Sequence, residues 1–492
     1  MRIGLHVAAS LAAITLGAMA SSALAAPAIT VTPASDHPSA KVGVTGAGFG
    51  AGETIDIYFD TTDELLAISD ANGRISKHTF KTSADTLPGQ HWVTAVGRRD
   101  GDAAQKPFTA STTWAEFGFK PKGGRNNPWE NVLAPSNVKK LDTAWRAQGG
   151  DYRFGADSSP AVANGIVYEG FDNPVCCSGL LAAFDATTGA HLWTLSGDAI
   201  EASPTVANGT LYIGWCDSGL RAFNAQTGAS LWVAAIVSCY SSPTVVGAMV
   251  YIGSEDGHLY ALNATSGAQS WTAATGGPVI SSPAVANGIV YIGSSDGNLY
   301  ACDALSGGIL WTAVTGGEVD SSPAVADGRV YITSVDGHLY AFNAATGAML
   351  WAVVVMNSIF PLSPAVADGV VYAGSGDGEL YAFDARTGAS LWSAPTSNDI
   401  ESSPAAANGV VYIGAGDDRV YAFDALTGAR LWTAQGGAIS SPAVADGMVY
   451  VGSGDSFLYA YALDGGNNAN YKRRHTQPPS FSTLHPDYRL KP

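Results

Sequence analysis

The residues with most chemistry to offer are the cysteines. Cys176 and Cys177 are adjacent, Cys216 and Cys239 follow, all four lie within one 64-residue stretch, and Cys302 stands apart. In an oxidising compartment such clustering serves disulfides. A second group is polar and irregular: Arg153, Trp215, Tyr240, Glu318, Asp320, Asp399 and Glu401, joined by Asp151, Tyr152, Asp198, Glu201 and Asn357. Carboxylates and aromatics at one mouth can hold a polar ligand or a cation, but no metal-ligand spacing is recognisable among them. His258 and His338 share a turn position with Asn298 and Glu379, a mixture that marks a solvated turn. There is no Gly-x-Ser-x-Gly in a strand-turn-helix setting and no phosphate loop. Whether either group acts together depends on the elements that carry it.

Those elements repeat. A Ser-Pro signature places Pro at 160, 204, 243, 283, 323, 364, 404 and 442, giving eight copies 38 to 44 residues apart. A fixed period near 40 signals a propeller or solenoid. Each copy reads as four short strands: a small-residue strand ending in Asn-Gly or Asp-Gly, a β-branched and aromatic strand, a third strand after a Gly turn, and a fourth ending in Trp. An Asp or Asn before Thr/Ser-Gly (Asp185, Asn224, Asn263, Asp303, Asn343, Asp384, Asp424) suits a turn whose amides bond its side chain. Trp145, Trp193, Trp232, Trp271, Trp311, Trp351, Trp392 and Trp432 form a row expected to pack between neighbouring units. The last copy has three strands and no Trp, whereas Trp145 precedes every Ser-Pro. The two chain ends therefore complete one unit, which closes a ring and hides its edges.

In such a ring the second-to-third turns and the fourth-to-first connections open on one face. That face carries the irregular polar residues and is the candidate ligand face. It also carries the clustered cysteines, which predicts two disulfides joining the Cys176/Cys177 pair to Cys216 and Cys239, in an order left open. Cys302 occupies a slot filled elsewhere by Phe or Leu and is expected to be a buried free thiol.

The rest of the chain differs. Residues 1–25 read as a cleaved export signal, with Arg2 before an apolar stretch and Ala23-Leu24-Ala25 before the cut. No Cys follows the cut, so no lipid anchor is expected, and no later apolar run is long enough to span a membrane. Residues 26–112 hold about seven short alternating segments, with Asn72-Gly73 as a hairpin signal. Residues 113–141 are rich in aromatics and Pro and are expected to form an ordered belt. Residues 465–492 make a basic tail whose Lys472, Arg473 and Arg474 suit docking on the body or on an acidic partner. The net charge of −17 argues against nucleic-acid binding.

The motif SSPAVANGIVYIGSSDGNLYACDALSGGILW resembles the pyrroloquinoline-quinone (PQQ) type repeat of quinoprotein dehydrogenases and of non-catalytic outer-membrane assembly propellers. The belt resembles the segment before the first blade of quinoproteins, through Arg125, Pro128, Leu133, Asn137, Val138, Leu141 and Trp145. VTGAGFGAGETIDIYFD resembles the immunoglobulin-like domains at the front of many exported bacterial proteins. For the dehydrogenases the resemblance implies PQQ, Ca2+, a base carboxylate and often a ceiling of two adjacent cysteines. Here Cys176-Cys177 falls in a second-to-third turn instead of before a first strand, and no Glu, Asn and Asp set matches the metal positions, so no functional residue carries over. The expectation is an exported all-β protein, periplasmic or extracellular: an immunoglobulin-like β-sandwich, then an eight-bladed β-propeller of four-stranded antiparallel blades over 142–464. Its role is expected to be binding or scaffolding with protein or glycan partners. The alternative is a PQQ-dependent alcohol or sugar dehydrogenase, and a third reading is an adhesin-like surface protein.

Overall fold

The computed structural model describes residues 26–149, 155, 158–173, 178–355, 362–436 and 440–466. The export signal, Asp151, Tyr152, Arg153, Asn357, Cys176, Cys177 and the tail from 467 lie outside the described residues.

The N-terminal part is two sheets. Ala28–Thr32, Lys41–Ala47 and Ile75–Lys81 form one; Ser35–Asp36, Ala103–Ala110, Gly89–Gly97, Thr54–Phe59 and Thr62–Ile68 form the other, in that spatial order. Val42 and Val44 of the first meet Ile55, Ile57, Val93, Ala95 and Phe108 of the second in one apolar core. Asn72-Gly73 is a turn, with Gly73 at φ +70°. The strands it joins belong to different sheets, so it is a crossing between layers and not a hairpin. Asp70 makes that crossing by accepting the amides of Asn72 and Arg74 at 2.8 and 2.9 Å.

From Ala161 onward each repeat folds into one four-stranded antiparallel sheet, strands in sequence order. The unit Ala284–Ala286, Ile289–Ser294, Asn298–Asp303 and Ile309–Val314 is representative. Its second and third strands lie between neighbouring sheets and are buried on both faces, so they read as continuous apolar runs instead of alternating ones. The fourth strand is outermost and largely exposed.

Three kinds of bond recur between and within units. The Tyr of a second strand and the Trp of the fourth both donate to one carbonyl of the next unit: Tyr291 Oη and Trp311 Nε1 reach Ala344 O at 2.9 and 3.2 Å. The Asx turns form as expected, Asp303 Oδ1 accepting the Ser306 amide and hydroxyl at 2.8 Å each. The Ser-Pro signature has its own purpose. Each second serine accepts, on its Oγ, the amide of the serine one unit back, running Ser159, Ser203, Ser242, Ser282, Ser322, Ser363, Ser403, Ser441. The Ser441 amide then donates to Ser159 Oγ at 3.2 Å, and the chain of serines closes on itself.

The two ends of the chain meet as expected. Leu141–Gln148 pairs antiparallel with Phe457–Leu463, placing Trp145 opposite Ala460, in a sheet continued by Met448–Gly452 and Ala443–Ala445. Trp145 Nε1 and Tyr450 Oη both donate to Ala186 O at 3.1 Å, as Trp311 and Tyr291 do to Ala344 O. The junction before it departs from the pattern. Trp432 Nε1 finds Leu141 O at 2.9 Å, but the buried Tyr412 hydroxyl has no partner. Tyr412→Phe is therefore expected to be neutral or stabilising, whereas Tyr291→Phe loses a bond and costs about 1 kcal/mol. Paired denaturant titrations check the contrast.

Candidate functional site

The innermost strand of each sheet turns an unpaired edge toward the ring axis, and buried backbone groups need partners. Residues 114–127 supply them. Trp114 exchanges backbone bonds with Val162. Ala115 O accepts from the Val206 amide, and the Glu116 carboxylate from Val245. Pro121, Lys122, Gly124 and Arg125 carbonyls accept from Val285, Val325, Val366 and Ala406. Asn127 Nδ2 donates to Val444 O at 2.8 Å. The segment thus circles the axis, touching the first strand of each unit in chain order. Gly123 is required where it passes closest, since a Cβ there would sit 2.2 Å from Pro323 O. The expected belt is ordered, and it is also an axial plug. The crevice left beside Phe117, Lys120, Ser282 and Pro323 is about 10 Å3, room for one water at most.

Two ionisable groups are sealed in this plug. Arg125, 1% exposed, donates from Nε to Pro404 O at 2.7 Å, from Nη1 to Phe117 O at 2.7 Å and from Nη2 to Ser403 O and Pro442 O at 3.4 and 3.3 Å. Burial pulls its pKa down, while the carbonyl dipoles favour the charged form. Glu116 is also buried, with Oε1 unpartnered, and burial pushes its carboxyl up to about 8. The folded chain therefore keeps a proton that the unfolded chain releases, and this group's contribution to stability falls as pH rises from about 4.5 to about 8. Glu116→Gln is expected to flatten that fall and to be more stable than the parent above pH 8. His91, whose pKa is also raised, acts in the same direction in the parent and the variant. The quantity to read is thus the difference in melting temperature between the two proteins from pH 5 to 9.

The face of the second-to-third turns holds the cysteine finding. Cys216 and Cys239 bond each other, 23 residues apart, which overturns the expected pairing of each with Cys176 or Cys177. The reason is local: the connection carrying Cys239 folds back over its own unit, so closely that a Cβ on Gly214 would lie 2.3 Å from Ser238 O. Cys302 is free and buried, as expected.

The other candidates share this face without forming one site. Trp215 is buried at 2% exposure, its ring filling the space over Gly197, with the Arg221 guanidinium 4.7 Å from its centroid. Tyr240 is 48% exposed, and its hydroxyl pKa is raised first by Glu201, then by burial, Glu255 and Asp172. Asp320 accepts Ser295 Oγ at 2.7 Å, and burial raises its pKa. Glu318, Asp399 and Glu401 are exposed on later connections. Among the described residues no three His, Cys, Asp or Glu side chains are grouped to hold a metal ion.

One cavity was not legible in the sequence. A cavity of about 580 Å3 lies between the N-terminal sheets and the opposite face of the ring, lined by Ser35, Ser111, Val132, Trp145, Asp446, Met448, Tyr450 and Leu463 among others. A polar knot holds its edge: Asp446 Oδ1 accepts the Thr112 amide at 2.6 Å, and Glu130 Oε2 accepts the Gly447 amide at 3.0 Å. Burial, then the neighbouring Glu130 charge, raises the Asp446 pKa to about 6, against its hydrogen bonds from Thr112. His37 stacks on Trp129 at 3.9 Å, and Asn131 Nδ2 bonds Ala84 O and Thr86 O, so the two parts are docked through the belt.

Four-stranded sheets joined in this way, with the Trp row between them, define a PQQ-like repeat β-propeller. Within that class the chain belongs to the family described as outer membrane protein assembly factor BamB, whose model matches residues 177–282 and 273–470. Comparison with curated proteins finds no match. Among solved structures, a europium-containing methanol dehydrogenase superposes with TM-score 0.62 over 72% of this chain and 98% of its own, at 15% identity. A quinohemoprotein alcohol dehydrogenase from Comamonas testosteroni gives TM-score 0.62, 16% identity and coverage of 75% and 82%. BamB from Moraxella catarrhalis gives TM-score 0.54, 23% identity and coverage of 65% and 99%. At these identities the likeness is one of fold.

Proposed function

We propose that this is an exported, non-catalytic binding or scaffold protein, an immunoglobulin-like sandwich docked on an eight-bladed propeller, holding protein or glycan partners. The observation that carries the reading is the filled axis. A flat quinone needs a slot between two surfaces and a hard cation at its carbonyl. Here the axial plug bonds the first strands in turn, the crevice beside Lys120 measures about 10 Å3, and the buried Arg125 occupies the carbonyls of Ser403, Pro404 and Pro442. The described residues do not fit PQQ with Ca2+, and no reaction step is derived through them. A ring stiffened at its centre, with an irregular upper face and a second domain below, is suited to presenting surfaces.

One observation favours the rival reading, a PQQ-dependent alcohol or sugar dehydrogenase: the Cys216–Cys239 bond leaves Cys176 and Cys177 without those partners. Adding PQQ and Ca2+ to the purified protein tests both. The scaffold reading expects no bound chromophore and no dye reduction with alcohols or sugars, and turnover would replace it with the dehydrogenase. Periplasmic or extracellular location is part of the proposal, and fractionation of the native host checks it.

A further inference from the structure

We propose that the cavity between the sandwich and the ring is a binding site for the protein's own C-terminal tail, with Tyr471 seated against Trp145 and Met448 and the Lys472-Arg473-Arg474 run lying along the acidic edge at Asp446.

The argument starts where the described chain stops. The last strand, Phe457–Leu463, runs into a short turn at Asp464–Gly466, and Leu463, Gly465 and Gly466 themselves line the cavity. The described chain therefore ends at its mouth. Tyr471 follows Gly466 by five residues, a reach of at most about 18 Å, so the cavity is within reach of the first aromatic of the tail. The cavity's size is in the range that encloses a few side chains. Its walls combine an aromatic pair, Trp145 and Tyr450, with Met448, Val132 and Leu463, the surroundings a tyrosine ring packs into.

Charge points the same way. The tail carries five Lys and Arg against one Asp on a chain whose net charge is −17. At the cavity edge the Asp446 and Glu130 carboxylates flank the same hydroxyl, Thr112 Oγ1 lying 3.3 Å from Asp446 Oδ1 and 3.2 Å from Glu130 Oε2, and burial, then the Glu130 charge, raises the Asp446 pKa. A guanidinium or ammonium group at that edge relieves the repulsion. The tail's prolines, Pro478, Pro479, Pro486 and Pro492, also limit the conformational freedom lost on docking.

The test uses the full-length protein with a photoreactive benzoylphenylalanine in place of Tyr471. After irradiation at low micromolar concentration, peptide mapping is expected to find intramolecular crosslinks to the peptides holding Met448 or Trp145. Deuterium exchange of the unlabelled full chain provides the second readout. Amides of 468–476 are expected to exchange at least about fivefold more slowly than in the free peptide 467–492. Met448→Arg, which fills the pocket and adds like charge, is expected to abolish both signals. Crosslinks to another surface, crosslinks only between two copies, or unprotected tail amides would overturn the proposal. The outcome is independent of whether the ring binds a quinone or a protein.

Discussion

Arg125→Leu is expected to lower unfolding stability by about 3–5 kcal/mol, the largest loss from any single polar substitution in the ring. The arginine reaches carbonyls of two units, at Ser403, Pro404 and Pro442, and of the plug itself, at Phe117. Removing it leaves buried acceptors with no water to replace the donors, which outweighs the relief of no longer burying a charge. It also frees the planar group that stacks 4.4 Å from the Phe117 ring. Arg125→Lys keeps the charge but not the fork, and should recover less than half of the loss. Urea unfolding of the three proteins measures the series. Equal stability of parent and leucine variant would show that the plug is not held at this point.

Trp145→Ala is expected to cost about 3 kcal/mol, and its effect should be localised. The ring covers Gly189, where an added Cβ would lie 2.7 Å away, donates to Ala186 O, and sits 5.9 Å from Tyr450. Most units make such contacts, but here the strand carrying the Trp reaches its sheet only by returning from before the first repeat. Its release opens the ring, so Leu141–Gln148 should lose amide protection before the body unfolds. Trp311→Ala removes the same contacts within a continuous unit and should leave protection at the closing strand unchanged. Native-state hydrogen exchange on both variants separates the two.

Much of this was legible in the residues. The period, the four strands per repeat, the Asx turns and the pairing of Trp145 with the sheet begun at Pro442 followed from spacing, because each copy repeats the same local solution. Two matters did not follow. The axial plug is a single copy, and nothing in FGFKPKGGRNN announces that its carbonyls will meet successive first strands. The interdomain cavity depends on how the sandwich docks, through contacts such as His37 on Trp129 that join distant parts of the chain. The cysteines failed for a nearer reason. Cys216 and Cys239 do share a face, but Cys239 lies over its own unit instead of reaching back to the one before.

The axial segment also acts as a gauge. Its residues meet the first strands one after another, from Trp114 at Val162 to Asn127 at Val444, one contact for each unit. A duplicated repeat would bring to the centre an edge that finds no acceptor, and a deleted one would strand part of the segment. Repeat families drift readily in copy number; this chain carries, ahead of its first repeat, an internal tally that penalises such drift.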